Sequence, residues 1–187
     1  MQQTARELAF LVASCDWPGG CCGACPRPHL SPSSVGRCEL ADVRRVSAGD
    51  EQLWRSAVAS ILSDEPRGAS TATPAEIAAA VADPRCYLFL ALSAAEPVGL
   101  LSAYAFPDVA SGGFLAYLYD IEVAESQRSF GIGRGLIEAL LAACKADGVK
   151  LVWAGTEVEN AAARRAFERT GAELEGDQYA EYEWDIA

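Results

Sequence analysis

The chain has 187 residues, a length that fits one domain of roughly 150 residues plus a short extension. It is 51% apolar and 22% charged, ordinary globular values that exclude general disorder and allow a core that folds without disulfides or metal. With 15 basic against 26 acidic residues the formal charge is −11, which disfavours nucleic acid and favours cationic ligands. No apolar run approaches the roughly 20 residues of a membrane helix.

Residues 1–37 carry three basic and two acidic residues, whereas the remainder carries 12 basic and 24 acidic. Five of the seven cysteines and the single histidine, His29, fall in residues 15–38. Cys22 and Cys25 have a CxxC spacing that suits zinc, yet no second ligand pair accompanies them. Prolines and glycines interrupt the stretch, so 1–37 reads as an extension to a domain over 38–187. The apolar run Leu8–Ser14 is short and follows Glu7, a poor match to a secretory leader. The expected location is therefore the cytoplasm, with thiols reduced.

Taken in order, Ala41–Val46 reads as a strand, and Ser47–Asp50 as a turn that caps a helix. Leu53, Trp54, Ala57, Val58, Ile61 and Leu62 recur at helical spacing. Residues 63–73 form a loop. Thr73, Pro74 and Glu76 open a second helix as cap, first residue and capping-box partner. Strands follow at Cys86–Leu92, Pro97–Phe106 and Phe114–Val123, the first two joined by a short hairpin. A helix over Ile132–Asp147 buries Ile132, Leu136, Leu140 and Cys144 on one stripe and stops at Gly148. Lys150–Thr156 is the next strand and Ala161–Thr170 the next helix. Ala172–Glu175 and Tyr179–Ile186 read as a terminal strand pair. The fold class is α/β, more closely α+β: a mixed, mostly antiparallel sheet with a central parallel β-α-β unit and flanking helices.

The stretch Tyr119-Asp-Ile-Glu-Val-Ala-Glu-Ser-Gln-Arg-Ser-Phe-Gly-Ile-Gly-Arg-Gly135 carries the chemistry. A strand passes through a tight turn into a helix whose start contains Gly131 and Gly133. Unpaired N–H groups and the helix dipole make such a start an anion site. Arg128 and Arg134 can add charge-assisted contacts. Asp120 and Glu122 lie on the preceding strand, where a carboxylate can hold an ammonium and take its proton.

Residues 41–187 resemble the GNAT superfamily of acetyl-CoA-dependent N-acetyltransferases through the Arg128-x-x-Gly131-x-Gly133 spacing and Asn160-Ala-Ala-Ala-Arg-Arg-Ala-Phe-Glu-Arg-Thr-Gly171. Within it they are most similar to aminoglycoside 3-N-acetyltransferases, through Pro97–Tyr104, Tyr117–Val123, Glu157 and Trp184-Asp-Ile186. The resemblance implies a GNAT-like sheet whose two central strands splay apart. It implies that the backbone of Ile121 and Val123 holds the acetyl carbonyl and the pantetheine arm of acetyl-CoA, without a metal. Amides among Ser129, Phe130, Gly131, Ile132, Gly133 and Arg134 would wrap the pyrophosphate, and Asn160 would contact the arm. Phe167 stands where many members carry a tyrosine that protonates the leaving thiolate.

The match to the aminoglycoside branch favours Asp120 as base, with Glu122 on the same strand as reserve; the acidic excess points to Tyr119, Asp120, Glu157, Asp177 and Asp185 as walls for an aminoglycoside-like amine. The resemblance allows a homodimer. Amines of peptides, lysine or small polyamines are the alternative substrates, and a non-catalytic acetyl-CoA sensor is the alternative role. Cys144 belongs to the apolar stripe, so direct transfer is favoured over an acetyl-cysteine.

Overall fold

The structure is a computed structural model and describes residues 41–62 and 72–175. Strand β1 (Asp42–Arg45) leads to helices α1 (Glu51–Ile61) and α2 (Pro74–Ala82). Strands β2 (Cys86–Ser93), β3 (Glu96–Pro107) and β4 (Phe114–Val123) follow as a meander. A single 3-10 turn (Glu125–Gln127) precedes α3 (Ile132–Ala146), then β5 (Val149–Ala154) and α4 (Ala161–Arg169). The strands form one sheet in the order β1-β2-β3-β4-β5, with β4 and β5 parallel and the other neighbours antiparallel. The parallel pair follows from the α3 crossover, since a hairpin can only return the chain antiparallel.

Alternation along the strands sends side chains to two cores. Tyr87, Phe89, Leu101, Ala103, Ala116, Leu118, Ile121 and Val123 pack against Ile132, Leu136, Leu140 and Cys144 of α3. On the other face Leu88, Leu90 and Leu100 pack with Val46 and with Ala57, Trp54 and Val58 of α1. Burying a Leu-sized side chain contributes roughly 1.5–3 kcal/mol, so both layers fix α1 and α3 firmly to the sheet. Gly99 sits where α3 meets it: a Cβ there would lie 3.1 Å from Ile132 Cγ2 and 3.2 Å from both Glu122 O and Leu136 Cδ1. Only glycine lets the start of α3 come this close.

The capping box of α2 forms as expected, with Thr73 accepting from the Glu76 N–H and Glu76 accepting from the Thr73 N–H. Asp50 behaves differently from the capping role read for it. Its carboxylate accepts from Arg44 Nη1 and Nη2 at 2.7 and 2.8 Å and from the Ser47 N–H at 2.9 Å, with no side-chain bond to the α1 start. A bidentate guanidinium outcompetes a backbone amide for a carboxylate, and it holds the Asp50 carboxyl well below the usual range. Ala172–Glu175 is irregular rather than a strand; the expected partner Tyr179–Ile186 lies outside the described residues, as do 1–37 with their cysteines. No helix among the described residues is long and apolar enough to cross a membrane.

Candidate active site

Strand β4 changes face partway along. Ala116 and Leu118 point into the α3 core, and strict alternation would bury Asp120 and Glu122 beside them. Instead the register against β3 slips: Ala103 pairs with Leu118, and Ser102 pairs with Asp120. Tyr119 is the extra residue of a β-bulge, which reverses the parity. Ile121 and Val123 then enter the α3 core, while Asp120 and Glu122 share the opposite face with their β3 partners Ser102 and Leu100. Asp120 is half-buried, and Glu122 is 7% exposed.

The bulge also marks where β4 and β5 part. Their pairing runs from Phe114 opposite Val149 to Leu118 opposite Ala154 and goes no further. The Ala124 N–H donates to Val98 O on β3 at 2.9 Å. In a trans peptide the Val123 carbonyl must then point the other way, into the gap on the β5 side. Arg128 Nε finds it there, donating at 3.1 Å. Extended backbone repeats every two residues, so the polar groups of Ile121 also face the gap.

At the open end of the gap the chain makes a cradle. Ser129 has φ +69° and Gly131 φ +82°, left-handed backbone that strains any residue but glycine. Gly131 caps α3 without a side-chain bond, and the first intrahelical donor is the Gly135 N–H to Gly131 O. The N–H groups from Gly131 to Arg134 thus lack helical acceptors. Gly133 has no positive φ, and a Cβ on it would lie an ordinary 3.8 Å from Val123 Cγ2. Glycine in a helix costs about 1 kcal/mol relative to alanine. Internal packing does not require glycine at Gly133, and the missing side chain leaves the backbone of this first turn open. Arg134 Nε is paired with Glu138 at 2.7 Å along the exposed helix face. Ile132 is buried, so its share in the cradle is its amide, and Phe130 is exposed.

The β5 side of the gap supplies two buried polar atoms. Asn160 caps α4, its Oδ1 accepting from the Ala163 N–H at 3.0 Å. Its Nδ2 is buried with no hydrogen-bond partner, and so is Thr156 Oγ1. Buried donors are rarely left in this state, and an orphaned amide donor beside this gap fits a carbonyl of a pantetheine arm. Phe167 packs against the α3 core and offers no hydroxyl. Cys144 is 2% exposed, and burial pushes its thiol up to about 11, an inert core group.

Around Asp120 lies an aromatic cluster. Tyr119 is 5.7 Å from Tyr104 and 6.4 Å from Tyr117, with Trp153 5.7 Å beyond Tyr117. Glu157 is exposed in the loop before α4, while Asp177 and Asp185 fall outside the described residues. Sequence reasoning missed Ser102, Tyr104, Trp153 and Thr156 beside this site. The Tyr104–Phe106 alternation was a visible signal for one of them; the rest depend on the strand register.

A parallel strand pair that parts beside an uncapped, glycine-lined helix start forms a slot that ends at an anion-accepting turn. The model of the acetyltransferase (GNAT) family matches residues 54–172, and the chain belongs to that family. It is accordingly an acetyl-CoA-dependent N-acetyltransferase. No curated protein sequence matches the chain. Among solved structures it is similar to an aminoglycoside acetyltransferase from an uncultured soil metagenomic sample, in complex with sisomicin. That likeness has TM-score 0.70 and 21% identity, covering 79% of this chain and 97% of the other. A second soil metagenomic aminoglycoside acetyltransferase gives TM-score 0.68 and 22% identity over 77% and 99%. A ribosomal-protein-alanine N-acetyltransferase from Brucella melitensis biovar Abortus 2308 gives TM-score 0.58 and 16% identity over 77% and 99%. Shared at such identities, the fold alone does not name the amine.

Proposed function

We propose that the chain acetylates an amino group of a small polycationic substrate of the aminoglycoside kind, with the 3-amino position as the target. The observation that carries this reading is the bulge at Tyr119, which turns Asp120 and Glu122 off the α3 core and onto the face of Ser102 and Leu100, with Asp120 half-buried and Glu122 buried. The two soil metagenomic aminoglycoside acetyltransferases of the same fold support it.

In this reading the amides from Ser129 to Arg134 bind the pyrophosphate, and the backbone of Ile121 and Val123 aligns the pantetheine arm as an added strand. Asn160 Nδ2 donates to a carbonyl of the arm. Bound acetyl-CoA supplies an electrophilic thioester carbonyl. Asp120 holds the substrate ammonium and accepts its proton, directly or through water, so that a neutral amine attacks. Glu157 and Tyr119, with Asp177 and Asp185, wall the substrate, and Glu122 is the reserve base. Opposite charges 4 Å apart attract by about 1 kcal/mol in water and about 4 kcal/mol at an effective dielectric of 20. Several ammonium groups therefore gain what one cannot. With Phe167 lacking a hydroxyl, the thiolate leaves without a tyrosine acid, tolerable for a thiol of pKa about 8.5.

Thiol release from acetyl-CoA across a panel of aminoglycosides, peptide amines and small polyamines tests the substrate. Aminoglycoside turnover, with the product shown by NMR to carry a 3-N-acetyl group, is the expected result. Turnover confined to peptide amines would replace the proposed substrate.

A further inference from the structure

The absence of a hydroxyl at Phe167 leaves open what steadies the sulfur as it departs, and a second residue is placed to do so. The phosphate end of the cofactor belongs at the Gly131 cradle, the open end of the gap. Its thioester end must therefore lie toward the closed end, where the β4–β5 pairing stops at Leu118 and Ala154. Tyr119 to Val123 spans about 13 Å of strand, enough for most of an extended arm. Thr156 stands two residues beyond Ala154, on the β5 side of that closed end. Val152 and Ala154 pack toward the α3–α4 core, the side that also receives Phe167, whereas Trp153 takes the other face. Thr156 Oγ1 is buried without a hydrogen-bond partner, an unfavourable state that a ligand would relieve.

We propose that the Thr156 hydroxyl donates a hydrogen bond to the cofactor sulfur and stabilises the departing thiolate, taking the place of the hydroxyl missing at Phe167. This rests on the cofactor placement proposed above. The nitrogen attacks the thioester carbonyl, and as the carbon–sulfur bond breaks its electron pair passes to sulfur; Asp120 has already taken the ammonium's first proton, and the second, lost as the amide forms, passes to water. Thr156 stabilises the sulfur anion and keeps its own proton, because an aliphatic hydroxyl is far too weak an acid to release it.

The test is calorimetric binding of coenzyme A and of desulfo-coenzyme A at pH 8.5 to the intact chain, its Thr156→Val and Thr156→Ser variants, and Thr156→Val combined with Phe167→Tyr. The wild type should bind coenzyme A about tenfold more tightly than the desulfo analogue, as a hydrogen bond to a charged group would give. Thr156→Val should erase that preference while leaving desulfo-coenzyme A affinity within about twofold. Thr156→Ser should keep the preference, and Phe167→Tyr should restore it. The unliganded Thr156→Val variant should melt no lower than wild type, since it loses an unpaired hydroxyl rather than a bond. An equal loss of affinity for both ligands would place Thr156 on another part of the arm and overturn the assignment. So would an unchanged preference, or a lowered melting temperature without rescue by Phe167→Tyr. Failure of the wild type to bind either ligand would overturn the cofactor placement itself.

Discussion

At the scale of single residues, the proposed reaction places its largest chemical burden on Asp120. Its position depends on Tyr119 being an extra residue, and its opposite number on β3 is the buried Ser102. Asp120→Asn keeps the shape and removes the base. It should lower kcat by about 10²–10⁴-fold, the usual range for general base catalysis, while acetyl-CoA still raises the melting temperature as in wild type. Steady-state thiol release together with thermal shift checks both halves; unaltered turnover would remove Asp120 from the reaction. The pair Asp120 and Glu122 was readable on its strand, and Gly131 and Gly133 at the start of the following helix. Thr156 and Ser102 were not, because nothing in a threonine or serine signals where it sits until the strand register is known.

At the scale of elements, the proposed site is the junction of β4, β5 and α3. The strands and helices were largely readable from alternation, caps and glycine stops, and Thr73-Pro-x-Glu76 folded as written. The bulge was not readable, since Ala116, Leu118, Asp120 and Glu122 follow an unbroken period of two and only packing against β3 breaks it. Asp50 was misread because its partner Arg44 lies on a separate element. The close seat of α3 leads to a prediction for Gly99. Gly99→Val should push Ile132 and Leu136 outward, weakening acetyl-CoA binding at least about tenfold and destabilising the fold by about 1–3 kcal/mol, as overpacking does. Titration calorimetry and denaturant unfolding check it, and wild-type affinity would detach the cradle from the seat of α3. The β2–β3 hairpin turns through Ala94 and Ala95 at φ +49° and +69°. Left-handed backbone costs a non-glycine residue roughly 1–2 kcal/mol, so Ala94→Asn with Ala95→Gly should stabilise the chain measurably without changing turnover. A lower melting temperature would count against this turn.

At the scale of the whole molecule, the net charge of −11 acts as a field that gathers cations. If the field aids capture, the Michaelis constant for a polycationic amine should rise as salt shortens the Debye length from about 30 Å at 0.01 M to about 3 Å at 1 M. A value independent of salt would confine recognition to contacts inside the cleft. The charge was visible in the composition from the start, but its use depends on the cofactor lying where the glycine cradle puts it. That placement is tested most directly by titrating acetyl-CoA into the wild type and the Gly131→Val variant in one calorimetric series. Gly131 has φ +82° and open space above its Cα, so valine there strains the loop and fills the cradle. The account predicts saturable wild-type binding with a dissociation constant between about 1 μM and 1 mM, the usual range for enzyme substrates, and at least about tenfold weaker binding for the variant. Equal affinity in both proteins, or no binding by the wild type at millimolar acetyl-CoA, would contradict it.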